Sequence, residues 1–227
     1  MRGKLLVIEG TDCSGKQTQT ELLVKRLKEE GYKVAQFQFP NYKTATGKIV
    51  GGPYLGKAYI SEGWFEEGAV NVDPKVAALY FAADRRYNLP KINELLANND
   101  IVILDRYFTS NMGHQGSKTK TKEEREKIYK WIYDLEHGLL ELPLPDHIIF
   151  LHMPYEAGLE LKKARCETES LDQHELSQEH LKQAEKAYLE ITEIYGWNKI
   201  NCALNGKAKT KEEIHEEVYQ IIKSKLK

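Results

Sequence analysis

The chain has 227 residues, enough for one sizeable core, and 33 lysines and arginines against 34 acidic residues leave a formal net charge of −1. No overall field would hold such a chain on nucleic acid or an anionic membrane, so any bound anion must be gripped by a local site. The longest apolar runs are far too short to span a bilayer, and Cys13, Cys166 and Cys202 are odd in number and widely spaced, which supports neither a disulfide framework nor a zinc site. With no export signal in the opening residues, a cytoplasmic protein of one domain, residues 1–227, is the expectation.

The first predicted strand, Leu5 to Ile8, runs into a glycine-rich turn and then a helix from Lys16 to Glu30. Between them Gly10, four residues, Gly15 and Lys16 spell G-x-x-x-x-G-K, the phosphate-binding pattern in its required strand-to-helix context. Glycines let backbone N–H groups converge on phosphate oxygens, the helix start adds its positive end, and the lysine reaches the terminal phosphates. The loop Gly10, Asp12, Cys13, Ser14, Gly15 and Lys16 therefore predicts a nucleoside triphosphate site with Mg2+. Gln17 stands where a hydroxyl ordinarily takes Mg2+, and Thr18 follows it. Magnesium keeps several waters and needs few protein ligands, so Asp12 and Asp105 are the expected metal contacts, partly through water.

A second strand, Val34 to Phe37, precedes Phe39-Pro40, and a helix is predicted over Pro74 to Asn98. Phe81 and Arg85 are four apart on it and share a face, which could serve base stacking and a phosphate grip or plain core packing. The third strand, Ile101 to Leu104, ends in Asp105 and Arg106, at the edge where open α/β sheets bind ligands. Helices over Lys122 to Leu140, Gln178 to Tyr195 and Lys211 to Lys225, a fourth strand at Ile148 to Leu151 and a weaker one at Asn198 to Cys202 complete the pattern. Apolar strands alternating with helices predict an α/β fold with a parallel sheet. Two charged stretches, from Ser117 and from Leu161, read as exposed or mobile segments.

Taken in order, "VIEGTDCSGKQTQ", "FP" at Phe39-Pro40, "FAADRR" from Phe81, "DRYFTSNMGHQG" from Asp105 and "LPLPDHIIFL" from Leu142 resemble the thymidylate kinase family. The resemblance implies a P-loop kinase fold with a five-stranded parallel sheet flanked by helices, a lid around residues 155–177, a homodimer, and transfer of the ATP γ-phosphoryl group to dTMP. It implies that Lys16 and the loop hold the ATP phosphates and that Asp105 and Asp12 lie beside magnesium. Asp12, Phe39, Pro40, Phe81, Arg85, Arg106, Ser110, Asn111, His114 and Gln115 would then face dTMP, with Phe81 stacked on thymine. Two family arginines are missing: Tyr42, Lys43 or Lys48 would have to replace one after Phe39-Pro40, and Arg165, or Lys162 or Lys163, would replace one whose place in the loop is taken by Cys13. Three other readings stay open at this point: a kinase for another nucleotide or nucleoside, a P-loop ATPase or switch, and a catalytically weak homologue.

Overall fold

The computed structural model describes residues 2–166 and 172–226, with side chains for all of these except 164–166. Its centre is a sheet of five parallel strands, β1 (Lys4–Gly10), β2 (Val34–Gln38), β3 (Ile101–Asp105), β4 (His147–His152) and β5 (Asn198–Asn201), in the order β2-β3-β1-β4-β5. Leu5, Leu6, Val7 and Ile8 are all buried because both faces of the sheet are covered, which is why the strand reads as a continuous apolar run.

On one face, Leu5, Val7, Val102 and Leu104 pack against Leu89, Ile92 and Leu96 of α3 (Pro74–Asn98), Met112 of α4 (Phe108–Gly116), Ile128 and Ile132 of α5 (Lys122–Tyr133), and Ala187 and Ile191 of α8 (Gln178–Tyr195). On the other, Leu6, Ile8, Ile101, Ile103, Ile149 and Leu151 meet Leu23 and Leu27 of α1 (Lys16–Glu29) and Ile214, Val218 and Ile222 of α9 (Lys211–Lys225). Each such side chain contributes about 1.5–3 kcal/mol by leaving water.

The register decides where the chemistry goes. Asp105 is paired with Ile8 on one side and Gln38 on the other, while Gly10 is opposite Leu151. The turn after β1, the end of β3 and the end of β2 therefore emerge together at the carboxyl edge of the sheet.

The five strands and the helices α1, α3, α8 and α9 fall where the periodicity places them. Four elements do not follow from it: α2 (Ala45–Ile49) with the π-helical turn that continues it to Tyr54, α4, α6 (Tyr155–Cys166), and the short α7 (Gln173–Leu176). The helix expected from Lys122 to Leu140 is α-helical only to Tyr133, then becomes a π turn over Asp134–Leu139. The extra residue of a π turn shifts the phase of the buried face, and Glu136 is the side chain it carries inward. A two-stranded hairpin, β6 (Ala203–Leu204) with β7 (Lys207–Ala208), occupies the stretch after β5. No helix among the described residues is long and apolar enough to cross a membrane.

Candidate active site

The phosphate loop is preformed. Gly15 sits at φ 76° as the residue before α1, a left-handed position that glycine adopts at little cost, and it leaves the helix start with no side-chain cap and no acidic residue in the first turn. Those N–H groups and the positive helix end are thereby reserved for an anion. Gly10 is required sterically, since a Cβ there would lie 2.6 Å from the Leu151 carbonyl oxygen and against Ser14 Oγ. Lys16 folds back over its own loop, its ammonium donating to the carbonyls of Gly10 at 3.0 Å and Thr11 at 2.7 Å. Burial, with a smaller push from Arg106, lowers its pKa to about 8.

A cavity of about 340 Å³ opens above this loop, lined by Asp12 through Thr18, by Asp105 and Arg106, and by Leu161 of α6. Asp12, Asp105, Gln17 and Thr18 give it a set of hard oxygen donors, the kind that suits Mg2+. The Gln17 amide nitrogen donates to Glu21 one turn along α1 at 3.0 Å, so the glutamine does not close the cavity. Burial raises the pKa of Asp105, against the pull of Arg106 and Lys16.

A second cavity of about 190 Å³ adjoins the first. Asp12, Phe39, Pro40, Phe81, Arg85, Arg106, Ser110 and His114 all line it, eight of the ten residues expected at the acceptor. Asn111 and Gln115 are buried behind the wall instead. The Asn111 amide donates to the Ala78 carbonyl at 3.1 Å and to Glu136 at 3.0 Å, while the Asn111 side-chain oxygen and both polar atoms of the Gln115 amide make no hydrogen bond among the described residues. Phe81 meets Tyr54 edge to face with ring centroids 5.5 Å apart, which holds its ring as a wall.

Sequence reasoning passed over three charged residues of the site, of which Glu136 and Glu9 hold the two arginines. Glu136 takes Arg85 in a bidentate pair, both N–H···O distances 2.5 Å, with side chains only 2% and 0% exposed; the third guanidinium nitrogen lies 3.5 Å from the Tyr107 carbonyl. Glu9, wholly buried at the end of β1, accepts from Ser110 at 2.6 Å, Thr109 at 2.8 Å, Gly10 N–H at 3.0 Å and Tyr188 at 3.2 Å, and lies 3.6 Å from Arg106. Burial works against the Arg106 charge, but Glu9, Tyr188 and Asp105 outweigh it and its pKa sits above the usual arginine value. The Arg106 backbone, at φ 66°, is in a conformation that a non-glycine residue occupies at a cost of about 1–3 kcal/mol. Lys57 is the third. It lines the second cavity beside Tyr42, its ammonium 5.5 Å from that ring centroid and 3.0 Å from Asp172. Lys43 and Lys48 are exposed and line neither cavity. The one signal in sequence for Glu9 is a charge terminating an otherwise apolar strand; nothing local marks Lys57 or Glu136.

Asp84 anchors the loop that follows Phe39-Pro40, accepting from Asn41 N–H at 2.8 Å and Thr46 Oγ1 at 2.8 Å. On the lid side, Lys162 donates to the Glu175 carbonyl at 2.5 Å and Lys163 is exposed. Arg165 falls in the last turns of α6, and its side chain lies outside the described residues.

The family model for thymidylate kinase matches residues 8–218. The "Probable thymidylate kinase" of Pyrococcus horikoshii is 29% identical over 227 residues, spanning 100% of this chain and 98% of its own. The thymidylate kinase of Mycobacterium tuberculosis H37Rv is 29% identical over 196 residues, 85% of this chain and 87% of its own. Among solved structures, thymidylate kinase from Candida albicans superimposes with a TM-score of 0.70 at 23% identity, over 99% of this chain and 92% of that one, which shows the shared fold.

Proposed function

Since the chain belongs to the thymidylate kinase family, and is thereby a nucleoside monophosphate kinase, we propose that it moves the γ-phosphoryl group of ATP to dTMP, giving dTDP and ADP. The observation that carries this reading is that the phosphate-loop cavity and the acceptor cavity share Asp12 and Arg106. A P-loop ATPase or switch has no need for a second pocket walled by Phe81, Arg85 and Lys57 and joined to the first through an arginine.

Phosphoryl transfer asks mainly for alignment and for charge placed where the transferring oxygens carry theirs. Lys16, the loop N–H groups and the start of α1 hold the donor phosphates. Arg85, through the nitrogen that Glu136 leaves over, Arg106 and Lys57 hold the acceptor phosphate. Arg106, fixed by Glu9 and Ser110, faces both cavities and bridges the two substrates. Phe81 presents its ring to the base, and His114 bounds the sugar side. The acceptor phosphate is ionised at neutral pH and attacks directly, so no general base is assigned. Asp105, Asp12, Thr18 and Gln17 are the residues that would hold Mg2+, which when bound supplies charge neutralisation on the phosphate oxygens. The segment around residues 155–177, of which 167–171 lie outside the described residues, would act as a lid that excludes water on closure, with Arg165 as its catalytic cation. The protein acts as one domain in the cytoplasm, and as a homodimer through the exposed apolar row Val76, Leu79 and Tyr87 of α3.

The test is ADP release with ATP and Mg2+ and each nucleoside monophosphate or deoxynucleoside in turn, beside an acceptor-free control. Turnover is expected with dTMP far above the others. ADP release that does not depend on an acceptor would replace this reading with an ATPase.

A further inference from the structure

Three histidines far apart in sequence meet at the rim of the acceptor cavity. His114 comes from α4, His174 from α7 and His180 from α8, and one ring nitrogen of each lies within 4.8 Å of the others. The His114 ring stacks with each of the other two at a centroid distance of 5.4 Å, and the His174 and His180 rings, 4.5 Å apart, are tilted by 37°. It is the one cluster of its kind among the described residues. We propose that His114, His174 and His180 form a binding site for a divalent transition-metal ion of the zinc class, distinct from the magnesium position at the phosphate loop.

The hydrogen bonds behind the cluster fix the tautomers a metal needs. The Tyr54 hydroxyl gives its proton to the Ala69 carbonyl at 2.9 Å and accepts from the Lys118 ammonium at 3.1 Å, so towards His174 Nε2, 3.2 Å away, its oxygen is again an acceptor. His174 therefore carries its proton on Nε2 and keeps a lone pair on Nδ1. The Ser117 hydroxyl likewise donates to the His114 carbonyl at 2.7 Å and accepts from His180 Nδ1 at 3.3 Å, leaving the lone pair of His180 on Nε2. That Nε2 faces His114 Nδ1 at 3.1 Å. Hydroxyl partners on the outer nitrogen are the usual means by which ligating imidazoles are oriented.

Two nitrogens bound at about 2.0–2.1 Å to a tetrahedral ion are about 3.3 Å apart; the His114–His180 pair already has that spacing, and the third imidazole, with a nitrogen within 4.8 Å of both, closes by up to about 1.5 Å on binding. In the absence of metal, the proton between His114 Nδ1 and His180 Nε2 makes a hydrogen bond; on binding it moves to His114 Nε2, and no net proton is released. Burial, followed by the neighbouring imidazoles for His114 and by Lys118 for His174, pushes both pKa values down, His174 to about 3, so the ligands are neutral at physiological pH. Imidazole donors suit zinc-class ions, whereas magnesium prefers oxygen. His174 is carried by the segment whose Asp172 pairs with Lys57 and whose Gln173 accepts from Ala69 N–H. A bound ion would staple that segment to α4 and α8 at the edge of the acceptor cavity.

The test uses tag-free, folded protein without nucleotide or magnesium, titrated with Zn2+ by calorimetry and with Co2+ by visible absorption, in the wild type and in His174→Asn, His180→Asn and the remote control His215→Asn. One ion per chain is expected in the wild type and the control, with a raised melting temperature and an intense four-coordinate Co2+ spectrum. Each cluster variant should bind more than about tenfold more weakly. If a cluster variant fails to fold, Ser117→Ala keeps all three imidazoles and should still weaken Zn2+ binding about tenfold. Absence of saturable binding in the wild type, or equal affinity in the cluster and Ser117 variants, would show that the imidazoles form only a hydrogen-bonded stack.

Discussion

Glu9→Gln tests whether the buried carboxylate under the site sets the position of Arg106. Its two oxygens accept four hydrogen bonds, Oε1 from Gly10 N–H and Tyr188, Oε2 from Thr109 and Ser110. An amide can keep only one oxygen. The Gly10 N–H cannot reverse its role, so the new NH2 must occupy the Oε2 position and face two hydroxyls that were donors. Ser110 can turn to accept, but it already accepts from Arg106 at 3.3 Å. Bonds to a charged acceptor are worth about 1.5–3 kcal/mol each and neutral ones about 0.5–1.5. Four bonds each weakened by about 1 kcal/mol, with partial recovery by hydroxyl rotation, give an expected loss of about 3 kcal/mol, large against a typical total of about 5–15. Arg106, left without its charge partner, should drift from the line between the two cavities, and a displacement of that kind costs turnover about 100-fold. Urea denaturation and steady-state kinetics with ATP and dTMP measure both. A variant within about 0.5 kcal/mol of wild type and within about threefold in kcat would refute the positioning role.

Lys57→Ala should raise KM for dTMP about tenfold or more while the exposed Lys43→Ala leaves it unchanged, because only Lys57 lines the acceptor cavity; steady-state kinetics with varied dTMP decide it. Gly10→Ala forces a Cβ against a strand carbonyl that cannot yield, so a stability loss of about 1–3 kcal/mol is expected in denaturant melts, with weakened binding of a fluorescent ATP analogue. Lys16 supplies a pH signature. Its folded pKa of about 8 lies below the ordinary 10.5, so between those values the unfolded chain holds a proton the folded chain has released. Stability should therefore rise with pH across that window, by up to about 3 kcal/mol, a gain fully lost below pH 8. Denaturation at pH 7.5 and 9.5, corrected with Lys16→Met, reads this slope; the same slope in the variant would assign it to other groups.

The sheet and the phosphate loop's geometry could be read from sequence because their causes are local. A strand buried on both faces is apolar at every position, as Leu5 to Ile8 are, and a loop that binds phosphate through its backbone must contain glycine where the chain turns or packs closely. Phe81 and Arg85 were likewise legible as neighbours, since helical spacing alone places them on one face. Asn111 and Gln115 were not: both sit in the helix that lines the acceptor cavity, yet which face of α4 meets solvent is decided by α3, α8 and the π turn that follows α5. That π turn also brings Glu136 to Arg85, across 51 residues of chain.

The helix starts make the same distinction in energetic terms. Thr44, Asp73, Thr121, Asp172, Ser177 and Thr210 each cap a helix with their own side chain, a contribution of about 1 kcal/mol that local sequence announces. At Gly15 that contribution is forgone and the N–H groups are left for an anion. A helix that gives up its own cap while keeping a lysine and a buried strand beside it is stabilised by what it binds, so ATP should raise the melting temperature of this chain more than dTMP does. Equal shifts from the two nucleotides would mean that the uncapped N–H groups at the start of α1 are not the source of the stabilisation a ligand brings.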